Sequence, residues 1–96
     1  MVSPALPFLI PDAFTPNGDG HNDIFRIPPG VDLALEEFEI FNKWGTQVFA
    51  TNNINTGWDG TYKGEFSEVG VYVYFIKGKT SAGKPVFLKG IVALIR

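Results

Sequence analysis

The amino-acid sequence predicts an all-β domain, a sandwich or barrel, and three observations carry that reading. Short runs rich in β-branched and aromatic residues recur at roughly ten-residue spacing between turn residues. No stretch keeps a helical period: in residues 33–41, the best candidate, Phe38 and Ile40 alternate with Glu37 and Glu39, which is a period of two. Eleven glycines and seven prolines in 96 residues then read as turn punctuation.

Seven runs follow in order. The first covers residues 8–14 and the second 23–27. The third, 37–42, runs through the turn Asn42-Lys43-Trp44-Gly45 into a fourth at 46–51, with Gly45 where a hairpin needs positive φ. A weaker fifth lies at 58–62. The sixth, 70–77, is the strongest, with Val71, Val73 and Phe75 on one face and Tyr72, Tyr74 and Ile76 on the other. Apolar character on both faces marks a central strand, one face in the core and the other covered by a loop or a partner, or left as solvated tyrosines. The turn Ser81-Ala82-Gly83 leads to a last strand at 85–95, whose Pro85 suits a sheet edge and whose Gly90 predicts a bulge. Residues 1–9 are expected to be a lead-in or linker remnant, and 10–96 a single domain.

Composition narrows the function. No cysteine is present, which removes disulfides, thiolate nucleophiles and sulfur-ligated zinc. Nine Phe, three Tyr and two Trp must hold the core instead. No segment reaches the roughly 18 apolar residues that span a bilayer, and residues 1–10 lack the basic start of a signal peptide, so if the module is secreted its signal is expected upstream in a longer parent. His21 is the only histidine and no Gly-x-Ser-x-Gly elbow accompanies it, while ten acids in so small a domain have no cleft to wall off a substrate; no catalytic residues are expected.

Charge is unevenly spread. Residues 77–96 hold Lys77, Lys79, Lys84, Lys89 and Arg96 with no acid, whereas residues 1–76 set three basic groups against ten acidic ones, a net of −7. Negative total charge, with the basic groups at one end, disfavours nucleic acid. The lysines suit two purposes: blocking edge-to-edge aggregation of the last strand, or presenting a positive face to an acidic partner.

Two further clusters have alternative uses. Asn17-Gly18-Asp19-Gly20 brings hard oxygens together on a flexible backbone, so Asn17, Asp19 and Asp23 are candidate ligands of an irregular calcium site; apart from calcium no cofactor is expected. The spacing is not that of an EF-hand, and the alternative is a turn in which Asn17 and Asp19 bond their own backbone. Trp44, Trp58 and Tyr62 are candidates for a flat sugar-binding platform; the competing use of both indoles is as core or as lids on an open end of a sandwich.

Five motifs in one order carry a resemblance. The run Phe14-Thr15-Pro16-Asn17-Gly18-Asp19-Gly20-His21-Asn22-Asp23 resembles the opening signature of the gliding-motility-associated C-terminal domain, the type B sorting domain of type IX secretion substrates. Phe38-Glu39-Ile40-Phe41-Asn42-Lys43-Trp44-Gly45 is similar to that family's Asn-Arg-Trp-Gly hairpin, with Lys43 in place of the commoner arginine. Trp58-Asp59-Gly60, Gly70-Val71-Tyr72-Val73-Tyr74 and Lys89-Gly90-Ile91-Val92-Ala93-Leu94-Ile95-Arg96 resemble the later landmarks, so the likeness covers roughly residues 10–96.

The resemblance implies an immunoglobulin-like antiparallel β-sandwich of about seven strands at the C-terminus of a larger cargo, read by an outer-membrane translocon or shuttle protein after transit of the periplasm and sent to the surface or medium. On that reading the last two strands form a positively charged hairpin that carries the address, with Lys77, Lys79, Lys84, Lys89, Leu94, Ile95 and Arg96 as the recognition residues. The rival expectation is a surface-adhesion or carbohydrate-binding β-sandwich. Self-association is left open by the sequence.

Overall fold

In a computed structural model of the chain, residues 10–18, 20 and 23–96 are described, and they form an all-β fold with no helix among them. Seven strands are present: β1 (Ala13–Phe14), β2 (Ala34–Phe41), β3 (Gln47–Thr51), β4 (Thr61–Tyr62), β5 (Glu65–Phe66), β6 (Gly70–Lys79) and β7 (Pro85–Leu94). Five make one sheet in the order β1-β7-β6-β2-β3, and β4 and β5 pair as a small second sheet, an arrangement consistent with a β-sandwich. All pairings but one are antiparallel; β1 runs parallel to β7, with Ala13 opposite Ala93 and Phe14 opposite Leu94.

The spine is the β6–β7 hairpin, whose ten residue pairs run unbroken from Gly70↔Leu94 to Lys79↔Pro85. Ten residues at about 3.4 Å each make it about 34 Å long, which accounts for most of the 39 Å long axis of the molecule. β2 pairs along its other side, with a register shift between Leu35 and Glu37. β6 is therefore the middle strand of five, as its two apolar faces predict.

The faces are used differently from one of the sequence alternatives. Tyr72, Ile76 and Gly78 are buried and Tyr74 half-buried, while Val71 is 54% exposed. The tyrosines thus belong to the core, and valine and phenylalanine line the outer face. On the inner face Phe38, Ile40, Ile76, Val92 and Leu94 pack beneath Phe14, Phe25, Ile27, Leu33 and Trp58, which come from the segments crossing over the sheet. Ring contacts tie the layers: Trp58 lies edge-on to Tyr72 at 4.8 Å, Phe14 meets Trp58 at 5.4 Å and Phe25 meets Phe38 at 5.8 Å. Separations of this order suit the quadrupoles of tilted rings.

The β2–β3 hairpin closes as the sequence predicts. Asn42 Oδ1 accepts the N–H groups of Trp44 and Thr46, each at 2.9 Å, and Gly45 has φ 83°. Other expectations are corrected. The run at 23–27 supplies only a two-way backbone bridge between Phe25 and Trp58 (2.8 and 2.9 Å), because Pro28 and Pro29 directly after it have no N–H for a ladder. The run at 8–14 contributes only Ala13–Phe14 to the sheet; residues 8 and 9 lie outside the described residues.

The weak run at 58–62 becomes a hairpin not foreseen, β4–β5, turning on Lys63 and Gly64 with φ 54° and 81°. Positive φ at both central residues is the geometry that matches strand twist in a two-residue loop. Gly90 makes no bulge: it stays in register opposite Tyr74, and a Cβ built on it would meet the Tyr74 hydroxyl and ring at 2.4–2.8 Å. Its missing side chain is the space the tyrosine ring occupies.

Candidate functional site

The turn that ends β6 is held from three sides. The Thr80 N–H donates to Lys84 O and the Gly83 N–H to Thr80 O, each at 2.9 Å, the Lys84 N–H donates to Thr80 Oγ1 at 3.1 Å, and Ser81 donates through both N–H and hydroxyl to the Asp32 carboxylate at 2.9 and 3.1 Å. The tip carrying Lys84 is thereby tethered to the segment that enters β2.

Alternation along the strands puts Lys77, Lys79 and Lys89 on the outer face and Lys84 in the turn, all four exposed. Lys77 Nζ stands 4.0 Å from Glu36 Oε1, and Lys89 Nζ lies 5.7 Å above the Phe75 ring. An exposed ion pair at that distance contributes little. The three C-terminal candidates separate. Leu94 is fully buried, which makes it a packing residue in the folded domain. Ile95 is 47% exposed, and its N–H donates to Phe14 O at 3.0 Å. Arg96 reaches back across the molecule: its guanidinium donates to Gly60 O at 3.2 Å and Ser67 O at 3.4 Å, and sits 4.8 Å above the Phe66 ring.

The aromatic candidates do not share one surface. Trp58 is 1% exposed, with its indole N–H donating to Thr61 O at 2.9 Å, so its ring offers no face to solvent and the three-residue platform is not assembled. Trp44 is 69% exposed, under the Lys43 ammonium at 4.7 Å, and is not a lid. It instead lines a shallow groove of about 250 Å³ together with Tyr62, Phe66, Asn42, Glu65 and Glu68. Phe66, the most exposed of these at 81%, went unnoticed in the sequence because nothing near it alternates strongly.

At the Asn17–Asp23 loop the Asp23 carboxylate is a hub for backbone amides. Its Oδ1 accepts from Asn17 (3.2 Å) and Gly18 (3.1 Å), and its Oδ2 from Gly20 (2.8 Å). Gly18 and Gly20 have φ 81° and 84°, conformations that aim their N–H groups inward. Asp19 and His21 lie outside the described residues. Among the described residues no cluster of three or more His, Cys, Asp or Glu side chains is placed to hold a metal.

Two tyrosines on the core side have perturbed phenols. Burial raises Tyr72 above its ordinary value; the Ser67 side chain pulls the other way, Glu68 adds to the rise and Arg96 opposes it. Its hydroxyl donates to Glu68 O at 2.6 Å. Burial likewise raises Tyr74, with the Asp12 charge acting in the same direction.

No helix of the described residues is long and apolar enough to cross a membrane. Compared with known proteins, residues 8–94 match the family model of the CHU_C type IX secretion signal domain. No curated protein matches the chain.

Proposed function

Because the chain belongs to the CHU_C family of type IX secretion signal domains, and so acts as a sorting signal for a cargo protein, we propose that its β6–β7 hairpin is the part that is read. A secretion signal domain is not a catalytic family; it engages the secretion machinery and directs export toward the cell surface or the medium. The finer reading is ours. The domain is a passive address without catalysis or cofactor. Its receptor is an outer-membrane translocon or a shuttle protein of that machinery, met after the cargo has crossed the periplasm.

One observation carries the choice of hairpin: Lys77, Lys79, Lys84 and Lys89 are all exposed on the longest, most continuously paired element of the fold, and residues 77–96 contain no acid of their own. A rigid cationic surface steers an acidic partner and limits the entropy lost on docking. Ile95 lies exposed at the opposite end of the hairpin, Arg96 folds over onto Gly60 and Ser67, and Leu94 supports the hairpin from within the core.

The test is export. The chain is fused to a reporter cargo bearing a conventional inner-membrane signal and expressed in a bacterium with type IX secretion. Cargo should leave the cell, and reversing all four lysines to glutamate should strand it in the periplasm with the domain still folded by circular dichroism. Periplasmic retention of the unmodified fusion, or full export of the reversed one, would defeat the proposal. A second reading, contact with sugars, draws on the groove at Trp44, Tyr62 and Phe66, where exposed rings stand beside Asn42, Glu65 and Glu68. Glycan binding by the isolated domain that disappears on Trp44→Ala would favour it.

A further inference from the structure

We propose that two copies of this chain associate through the outer face of the five-stranded sheet, packed face to face about a two-fold axis running along β6. The face is the one whose Lys77 and Lys89 the sorting reading uses, so dimer and receptor would compete for it, but the observations and the test need no secretion component. That face has no cover. Outward from β2, β6 and β7 project four rows set by the strand register: Glu37–Lys77–Phe87, Glu39–Phe75–Lys89, Phe41–Val73–Ile91 and, at the end, Val71–Ala93. Phe87 is 67% exposed, Ile91 60% and Val71 54%. Phe75 bridges the strands, with ring centroids 5.6 Å from Phe41 and 6.3 Å from Phe87. A contiguous apolar stripe on a sheet face signals an interaction surface rather than ordinary surface composition.

The charges around the stripe select the occupant. On β2 the face is acidic: Glu36, Glu37 and Glu39, with Gln47 of β3, line a shallow hollow of about 360 Å³. Glu39 is held in place there, its Oε2 accepting from Gln47 Nε2 at 2.7 Å. On β7, two strands away in the same row, stands Lys89. The face is thus negative along β2, apolar along most of β6 with Lys77 at one end, and positive at Lys89 on β7, so β2 and β7 complement each other.

Symmetry then fixes the arrangement. A two-fold axis along β6 lays β7 of one copy over β2 of the other while keeping the rows aligned. Each Lys89 faces the other copy's acidic hollow, Phe75 and Val73 meet their own counterparts, and Lys77, farther along β6, also meets its own, with Glu36 Oε1 4.0 Å from each ammonium. An axis across the strands would instead stack β7 on β7 and bring the two Lys89 side chains together. The first alone sets Lys89 against the acidic strand, and it is the near-aligned geometry in which twisted sheets pack. Three strands by four rows cover about 400 Å² in plan. Two copies together bury about 800 Å² or somewhat more, the size of a weak, concentration-dependent association.

Sedimentation equilibrium on the purified chain tests this without any secretion component. A monomer–dimer equilibrium is expected between about 20 μM and 1 mM, the range that so small an interface supports. Lys89→Glu alone and Glu39→Lys alone each oppose like charges twice per dimer and should weaken association at least about tenfold. The Lys89→Glu/Glu39→Lys double variant should restore it, and an equimolar mixture of the two single variants should form heterodimers. The chain has no cysteine, so Val73→Cys should cross-link to itself through a short bismaleimide, and Lys89→Cys should not. All these positions lie on the outer face of the sheet, Lys89 exposed and Glu39 and Val73 half-buried, and a thermal melt verifies the fold of each variant. A chain monomeric up to about 1 mM, a double variant no better than the singles, or self-cross-linking of Lys89→Cys would overturn the proposal.

Discussion

Replacing Gly90 by alanine isolates the role of a single missing side chain. Gly90 sits mid-strand in β7 with ordinary negative φ, so the backbone itself tolerates alanine, and the three atoms nearest to an added Cβ all belong to Tyr74, at 2.4, 2.5 and 2.8 Å. The ring must swing off the sheet, away from Phe25, which it meets at 5.3 Å. Overpacking of this kind costs about 1–3 kcal/mol, and the stiffer unfolded chain returns about 0.4–1 kcal/mol. The net loss is about 1–2 kcal/mol, which lowers the melting temperature of a domain of this size by roughly 5–15 °C. In a Tyr74→Ala background the obstruction is gone, so the same Gly90→Ala change should turn neutral or stabilising by up to about 1 kcal/mol. Urea melts of the four members of this cycle measure the coupling. If Gly90→Ala costs as much without the tyrosine as with it, ring clash is not the reason for the glycine.

The remaining predictions are brief. Trp58→Phe keeps most of the buried ring but removes the N–H that satisfies Thr61 O, and should cost about 1–3 kcal/mol in a denaturant melt; an unchanged midpoint would mean that water replaces the bond. Tyr72 and Tyr74 have folded pKa values above their unfolded ones, so in the alkaline range the native state holds protons that the unfolded chain has released. Their contribution is complete below the unfolded value near 10 and declines as pH rises through the folded values; Tyr72→Phe/Tyr74→Phe should flatten that decline in melts across the range. Asp23→Ala removes a shared acceptor of the Asn17, Gly18 and Gly20 amides, of which Asn17 keeps Thr15 O, and should lower stability by about 1–3 kcal/mol. We expect chelator to leave the melting midpoint of the unmodified chain where it was, since these amides already occupy the carboxylate; a drop would establish a bound cation.

What the sequence made legible was whatever local pattern decides. The period-two alternation of residues 70–77 marks a central strand because side chains on both sides of a pleated ribbon must find neighbours. Asn42-Lys43-Trp44-Gly45 marks a hairpin because one amide side chain and one left-handed residue suffice to build it. Gly90 was misleading for the opposite reason: a bulge and a docking place for a cross-strand ring need the same absent Cβ, and only the partner Tyr74 tells them apart. The burial of Trp58 depends on Phe14 and Tyr72, both distant in sequence, so no local feature could divide it from the exposed Trp44. The basic cluster was visible from composition, but its division between an outer face and a turn tip follows from register alone.

The parallel pairing of β1 with the end of β7 has a consequence for assembly. Ala13 and Ala93 lie eighty positions apart, yet Ala93 donates to Asp12 O and Ile95 to Phe14 O. During synthesis the early segment therefore waits, unseated, until nearly all of the remaining domain has been made. A ribosome product that stops short of Ala93 leaves Phe14 without its floor, so the closed shape doubles as a stamp of completeness, withheld from prematurely terminated chains.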